Sequence, residues 1–243
     1  MPSTYQLKVF ENDDALDKAA AEFIIAVAKE AIAKSGKFVI ALSGGQTPLN
    51  LFAMLAEPFY ADQINWKKTF VFWGDERCVS LNDTRNNAFI AKKILLAKIN
   101  IPSENIFPIP VNLPPAEAAE TYQNEIKDFF GNAPIIFDLI LLGLGNNGHT
   151  ASLFPDTNVL DEKAIGIKQV YIPAQKMFRI TMTAPLINQA KNILFIVKGK
   201  EKAAILNKVF TSPKQPHKYP AQLIEPNNGK LWWFVDKKAA LLF

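Results

Sequence analysis

Apolar residues along the chain alternate between short unbroken runs and longer stretches of helical spacing. Phe38–Leu42, Thr69–Trp73 and Phe137–Leu142 are runs of the first kind, which mark strands buried on both faces, and Asn192–Val197 is predicted as a strand as well. Tyr5–Phe10, Arg179–Thr183 and Leu231–Val235 are predicted as further strands. Between the first two strands, Leu16, Ala19, Phe23, Val27 and Ala31 recur at helical spacing. They follow Asn12-Asp13-Asp14, a capping cluster, and precede Gly36, a natural stop, so a helix is predicted to about Lys34. Further helices are predicted from near Pro48 and over Asn86–Lys98, Pro115–Phe130, Pro185–Lys191 and Lys200–Phe210. Buried strands alternating with helices predict an α/β fold with a mostly parallel sheet covered on both faces.

No internal repeat or low-complexity tract interrupts this pattern. Ile101–Pro115 carries prolines at 102, 108, 110, 114 and 115, and is read as an excursion within one domain spanning residues 1–243.

Composition narrows the classes. Of 243 residues, 49% are hydrophobic and 21% charged, which excludes a disordered chain. The longest apolar run, Ile135–Leu144, already contains Asp138 and falls short of the roughly 18 residues of a bilayer span. Met1–Gln6 has no basic flank or apolar core of a signal peptide, so a cytoplasmic protein without membrane association is expected. One cysteine, Cys78, excludes an internal disulfide and a cysteine-rich metal site; two histidines, His149 and His217, exclude a multi-histidine one. The net charge of +4 is spread over scattered lysines without a basic helical stripe, so no nucleic-acid partner is expected. The same charge suits a small anionic substrate.

Four segments carry candidate chemistry. Ser43-Gly44-Gly45-Gln46-Thr47-Pro48 joins a buried strand to a helix. Its glycines permit close backbone approach, Thr47 is placed to cap the helix, and Pro48 suits the helix's first turn. Such a loop is either an anion site or a plain turn; it is neither a Walker loop nor a dinucleotide fingerprint. Gly74-Asp75-Glu76-Arg77 sets three ionisable groups at the carboxyl end of a strand, where open α/β sheets bind ligands, unless they form only a surface ion-pair cluster. Gly143-Leu144-Gly145-Asn146-Asn147-Gly148-His149 delivers a histidine, the side chain best matched to proton transfer near neutral pH, ahead of an expected helix start. Arg179 and Lys202 are candidate anion-binding cations, or else surface charges. Arg179 begins its predicted strand, so it reaches the other loops only if that strand runs antiparallel or the preceding segment folds over. His217 and Cys78 carry no predicted role.

The order Ser-Gly-Gly-x-Thr-Pro, Gly-Asp-Glu-Arg, Gly-x-Gly-x-x-Gly-His-Thr-Ala-Ser-Leu-Phe-Pro, Arg-Ile-Thr and Gly-x-x-Lys resembles the 6-phosphogluconolactonase family. The match runs from about Phe38 to Lys202, with a weaker tail at Tyr219-Pro220-Ala221 and Trp232–Ala240. The resemblance implies a Rossmann-like, doubly wound sheet, no cofactor, no metal, and hydrolysis of 6-phospho-D-glucono-1,5-lactone in the oxidative pentose phosphate pathway. It implies His149 as the general base. Ser43, Gly44, Gly45, Thr47, Asn87 and Gly148 would belong to the substrate site, and Arg77, Arg179 and Lys202 would hold the phosphate. Asp75 would orient Arg77 or the attacking water. The residue two before the histidine is usually Asp in the family and is Asn147 here, so Asp75 or Glu76 is a candidate to supply the missing charge. The alternatives are a glucosamine-6-phosphate deaminase, which would carry a further acid shortly after the histidine loop, and a sugar-phosphate sensor. A sensor of the regulator type would have an N-terminal helix-turn-helix, whereas residues 1–36 hold one strand and one helix. A monomer or small homo-oligomer is compatible with either.

Overall fold

A computed structural model of the chain describes residues 5–243. Strand β1 (Tyr5–Phe10) leads into α1 (Asp13–Ser35), whose start is capped by the Asn12 side chain and whose end is a left-handed Gly36, φ 76°. Strand β2 (Phe38–Leu42) is buried throughout and is followed by the short helices α2 (Leu49–Leu55) and α3 (Pro58–Ala61). Strand β3 (Thr69–Trp73) continues almost directly into β4 (Asp75–Arg77), and α4 (Asn87–Ile94) and α5 (Pro115–Phe130) follow. The remaining elements are β5 (Leu139–Gly143), β6 (Ile167–Ile172), β7 (Met177–Met182), α6 (Ala184–Ile187), β8 (Asn192–Val197), α7 (Ala203–Thr211) and β9 (Lys230–Asp236).

Six strands form one sheet in the order β1-β9-β8-β5-β2-β3, every pairing parallel. This is the doubly wound α/β architecture that the alternating pattern predicted. The chain passes from β2 outward to β3 and then crosses back to place β5 on the other side of β2. That reversal opens a crevice at the carboxyl ends of β2 and β5, where ligands of such sheets bind. Aromatic packing fixes the neighbouring core. Phe72 stacks on Phe107 at 4.4 Å, and the buried Tyr122 hydroxyl bonds both the Trp73 N–H (2.9 Å) and its carbonyl (3.1 Å).

The departures from the predicted elements are local, with one exception. Strand β5 begins two residues late because the Asp138 carboxylate turns aside to accept from the Val39 N–H, 2.8 Å, and pairs with Lys191. Helices over Asn86–Lys98 and Lys200–Phe210 are shorter α-helices flanked by 3-10 turns, and α6 covers only part of Pro185–Lys191. The exception is a second, three-stranded antiparallel sheet, β4-β7-β6, which pairs Arg77 with Arg179. The strand predicted at Arg179–Thr183 belongs to this sheet and not to the parallel one. Gly74 joins the two sheets, donating to the Leu42 carbonyl and accepting from the Met182 N–H.

Among the described residues no helix is long and apolar enough to cross a membrane, and no group of three or more His, Cys, Asp or Glu side chains is arranged to hold a metal. Met1–Thr4, part of the segment on which the expectation of no signal peptide rests, lie outside the described residues.

Candidate active site

Two adjoining cavities of about 610 and 560 Å³ form one cleft at the carboxyl ends of the parallel strands, sharing Ser43, Gly44, Arg77, Asn87, Gln175 and Arg179 as walls. The second also contains Thr47, Asp75, His149 and Lys202. Residues far apart in sequence, from Ser43 to Lys202, are thus brought to one place by the order of the parallel strands and the pairing of the second sheet.

The loop after β2 has Gly45 at φ 84°, a left-handed conformation that favours glycine. Gly44 is needed for space: a Cβ there would lie 1.7 Å from the Asn87 Oδ1. Among the described residues the backbone N–H groups of Gly44, Gly45, Gln46 and Thr47 find no acceptor, so the loop presents donors to the cleft. Thr47 does not cap the following helix as expected. The helix starts at Leu49, Pro48 occupies the cap position, and no side chain caps it. That helix has only seven residues, so its dipole is weak, and the donors facing the cleft here are the loop N–H groups.

Arg77 leaves β4 and donates from one Nη1 to the Arg85 carbonyl, 2.7 Å, and to Asn87 Oδ1, 2.6 Å. Asn87 in turn donates to the Asp75 carbonyl at 2.9 Å, while its neighbour Asn86 caps α4. Glu76 is committed to the backbone at the start of α4. Its carboxylate accepts from the N–H groups of Arg77, Asn87 and Ala88 at 2.8–2.9 Å, and burial pushes its pKa up to about 7. Glu76 therefore organises the start of α4 and does not supply charge to His149.

Asp75 does not orient Arg77. Its Oδ2 accepts from the Ser152 hydroxyl at 2.5 Å and lies 3.7 Å from Arg179 Nη1, all three side chains being buried. Arg179 reaches this position because β7 runs antiparallel to β4, the first of the two conditions the sequence left open. Gln175 holds the guanidinium from the other side, its Oε1 accepting from Nε at 3.2 Å and from Nη2 at 2.6 Å. Lys202, at the end of a 3-10 turn ahead of α7, donates to Asn146 Oδ1 at 2.5 Å and lies on the cleft wall.

His149 is half-buried. No helix starts after it; the loop closes on itself through Gly145 N–H to the His149 carbonyl, 2.8 Å, and Thr150 Oγ1 to the Gly143 carbonyl, 2.9 Å. The imidazole stacks on Phe154 at 3.9 Å and lies so close over Gly145 that a Cβ there would meet the ring at 2.0 Å. Its Nδ1 is 2.5 Å from Asn147 Oδ1, which also accepts from the His149 main-chain N–H at 3.3 Å. An amide oxygen only accepts, so Nδ1 carries the proton and Nε2 keeps its lone pair. Burial lowers the imidazole pKa to about 4, Asp75 opposes the shift, and the positive fields of Arg179, Lys202 and Arg77 add to it. Of the two carboxylates considered, only Asp75 acts on the ring. Gly148, φ 83°, is buried against Tyr219 and shapes the loop without lining the cleft. Its carbonyl accepts from the Ala221 N–H at 2.9 Å, which ties the Tyr219-Pro220-Ala221 segment to the histidine loop.

Sequence reasoning missed Gly145, Asn146, Ser152, Phe154 and Gln175. The first four stand inside or beside the histidine motif and were open to recognition. Gln175 sits in a turn after β6 with no local signal.

Residues 11–233 match the family described as glucosamine-6-phosphate isomerases/6-phosphogluconolactonase. A 6-phosphogluconolactonase of Synechocystis sp. is 40% identical over 240 residues, 96% of each chain, and one of Haemophilus influenzae is 39% identical over 228 residues, 94% of this chain and 95% of that one. The solved 6-phosphogluconolactonase of Trypanosoma cruzi superposes with a TM-score of 0.85 at 25% identity, covering 99% of this chain and 97% of that one.

Proposed function

The chain belongs to the glucosamine-6-phosphate isomerase/6-phosphogluconolactonase family, and from that premise we propose that it hydrolyses 6-phospho-D-glucono-1,5-lactone to 6-phosphogluconate. The observation that carries this reading is the state of His149. A neutral ring whose Nδ1–H is committed to Asn147 leaves Nε2 as the one unprotonated nitrogen in a cleft surrounded by cations.

In this mechanism Nε2 accepts a proton from water as the oxygen attacks the lactone carbonyl carbon. The resulting imidazolium gives that proton to the ring oxygen as the C–O bond breaks, so acid, base and proton balance within one residue. Asn147 holds the tautomer but brings no charge; the imidazolium is stabilised by the field of Asp75. The free loop N–H groups with Arg77, Arg179 and Lys202 bind the phosphate, and fixing that end places the carbonyl near His149. Arg179 is suited to the task because Gln175, Ser152 and Asp75 already immobilise it. A bound phosphate offsets the cationic fields that depress the His149 pKa, so the base strengthens when substrate arrives. The substrate is a small molecule, no cofactor takes part, and the compartment is the cytoplasm.

The test is hydrolysis of the lactone above its spontaneous background, with glucosamine 6-phosphate as parallel substrate. His149→Ala should lower turnover by about 10²–10⁴-fold. A loss below tenfold would remove His149 as the base, and turnover of glucosamine 6-phosphate alone would move the chain to the deaminases.

A further inference from the structure

Lys198 follows β8 and takes no part in the chemistry above. Its side chain is only 10% exposed, and its ammonium group is bonded to the Asp17 carboxylate of α1 and, at 3.1 Å, to the carbonyl of Thr47. Asp17 is fully buried, and its other oxygen, Oδ2, has no partner. Buried ion pairs of this kind are commonly replaceable by apolar side chains without loss of stability, so stability gives no reason to keep one here. What distinguishes this pair is its third member, a main-chain carbonyl in the loop that presents free N–H groups to the cleft.

The two segments joined are otherwise unequally anchored. Gly199, φ 95°, donates its N–H to Asp236 at the end of β9, 3.0 Å, and the Lys202 N–H returns to the Gly199 carbonyl, 3.0 Å. The turn carrying Lys202 is therefore fastened to the sheet. The Ser43–Thr47 loop lacks such fastening: the helix after it has no side-chain cap, and Gln46 accepts only the Leu49 N–H at 3.3 Å.

We propose that Lys198 is a positioning residue for anion binding, its ammonium group tying the Ser43–Thr47 loop to the turn that carries Lys202 and so setting the spacing between the loop donors and the Lys202 charge. This rests on the assignment of both segments to the phosphate. The Asp17 carboxylate holds the ammonium group in place against the Thr47 carbonyl. Neither residue touches substrate.

Lys198→Met alone strands the buried Asp17 charge and is prone to misfold, so the deciding variant is Asp17→Asn/Lys198→Met, which removes both charges together. Circular dichroism establishes that it is folded. Its KM for the lactone, and its Kd for 6-phosphogluconate and for inorganic phosphate by calorimetry, should rise about five- to tenfold, the loss of roughly one hydrogen bond's worth of loop order, with kcat within about twofold of wild type. A folded double variant with unchanged KM and Kd would overturn the inference, as would a fall in Tm or kcat without a change in KM. Wild-type lactone turnover in the same assay tests the underlying functional reading separately, and phosphate binding reports on the loop even where turnover is absent.

Discussion

Replacing Asn147 by Asp places a carboxylate where an amide oxygen now sits 2.5 Å from His149 Nδ1. A unit charge at about 4 Å is worth roughly 4 kcal/mol at an effective dielectric of about 20. Asn147 is exposed, so water screens a large part of that, and the imidazole pKa should change by about one to two. The sign is upward, because the anion favours imidazolium. In the free enzyme the imidazole pKa is about 4, so the acidic limb of kcat/KM against pH should move from near 4 to between about 5 and 6 in Asn147→Asp. Above the limb the rate should rise modestly, since a more basic Nε2 is a better proton acceptor. The assay is initial-rate lactone hydrolysis across pH for both proteins, with background hydrolysis subtracted at every point. A limb that does not move would mean that residue 147 does not sense the imidazole. A limb moving to lower pH would contradict the Nδ1 contact outright.

Gly145→Ala forces a methyl group to within 2.0 Å of the imidazole, so the ring must move; kcat should fall by about 10²-fold with KM little changed, and a kcat within twofold of wild type would refute the packing argument. Arg179→Ala should weaken 6-phosphogluconate binding by about 1.5–3 kcal/mol in calorimetry, and should also lower Tm because buried Asp75 loses its cation; unchanged product affinity would exclude Arg179 from the phosphate site. Glu76 binds a proton more tightly folded than unfolded, its pKa being raised from 4.5 to about 7. Its contribution to stability is therefore complete below about pH 4.5 and is lost as pH rises through 7. In Glu76→Gln that part of the decline in Tm between about pH 5 and 8 should vanish, and an identical slope in both proteins would refute it.

The parallel sheet was legible because its determinants are local. An apolar run such as Phe38–Leu42 must be covered on both faces wherever it goes, and Asn12 and Gly36 bound their helix through bonds to residues three or four positions away. Four strand-end loops were legible as a site for the same reason, since parallel strands bring their carboxyl ends to one edge. The second sheet was not. Strand β4 is three residues long and β6 half-exposed, so neither carries a pattern of its own; each exists because β7 pairs with it across about 100 and 10 residues respectively. The orientation of Arg179 followed from that pairing, and with it the partner of Asp75, which is Arg179 and Ser152 instead of Arg77. The sequence by itself determined which strand-end loops stand at the cleft. The direction each charge faces, and hence the neutral state of His149, was decided by non-local strand pairing and by burial, neither of which a residue's neighbours in the chain encode.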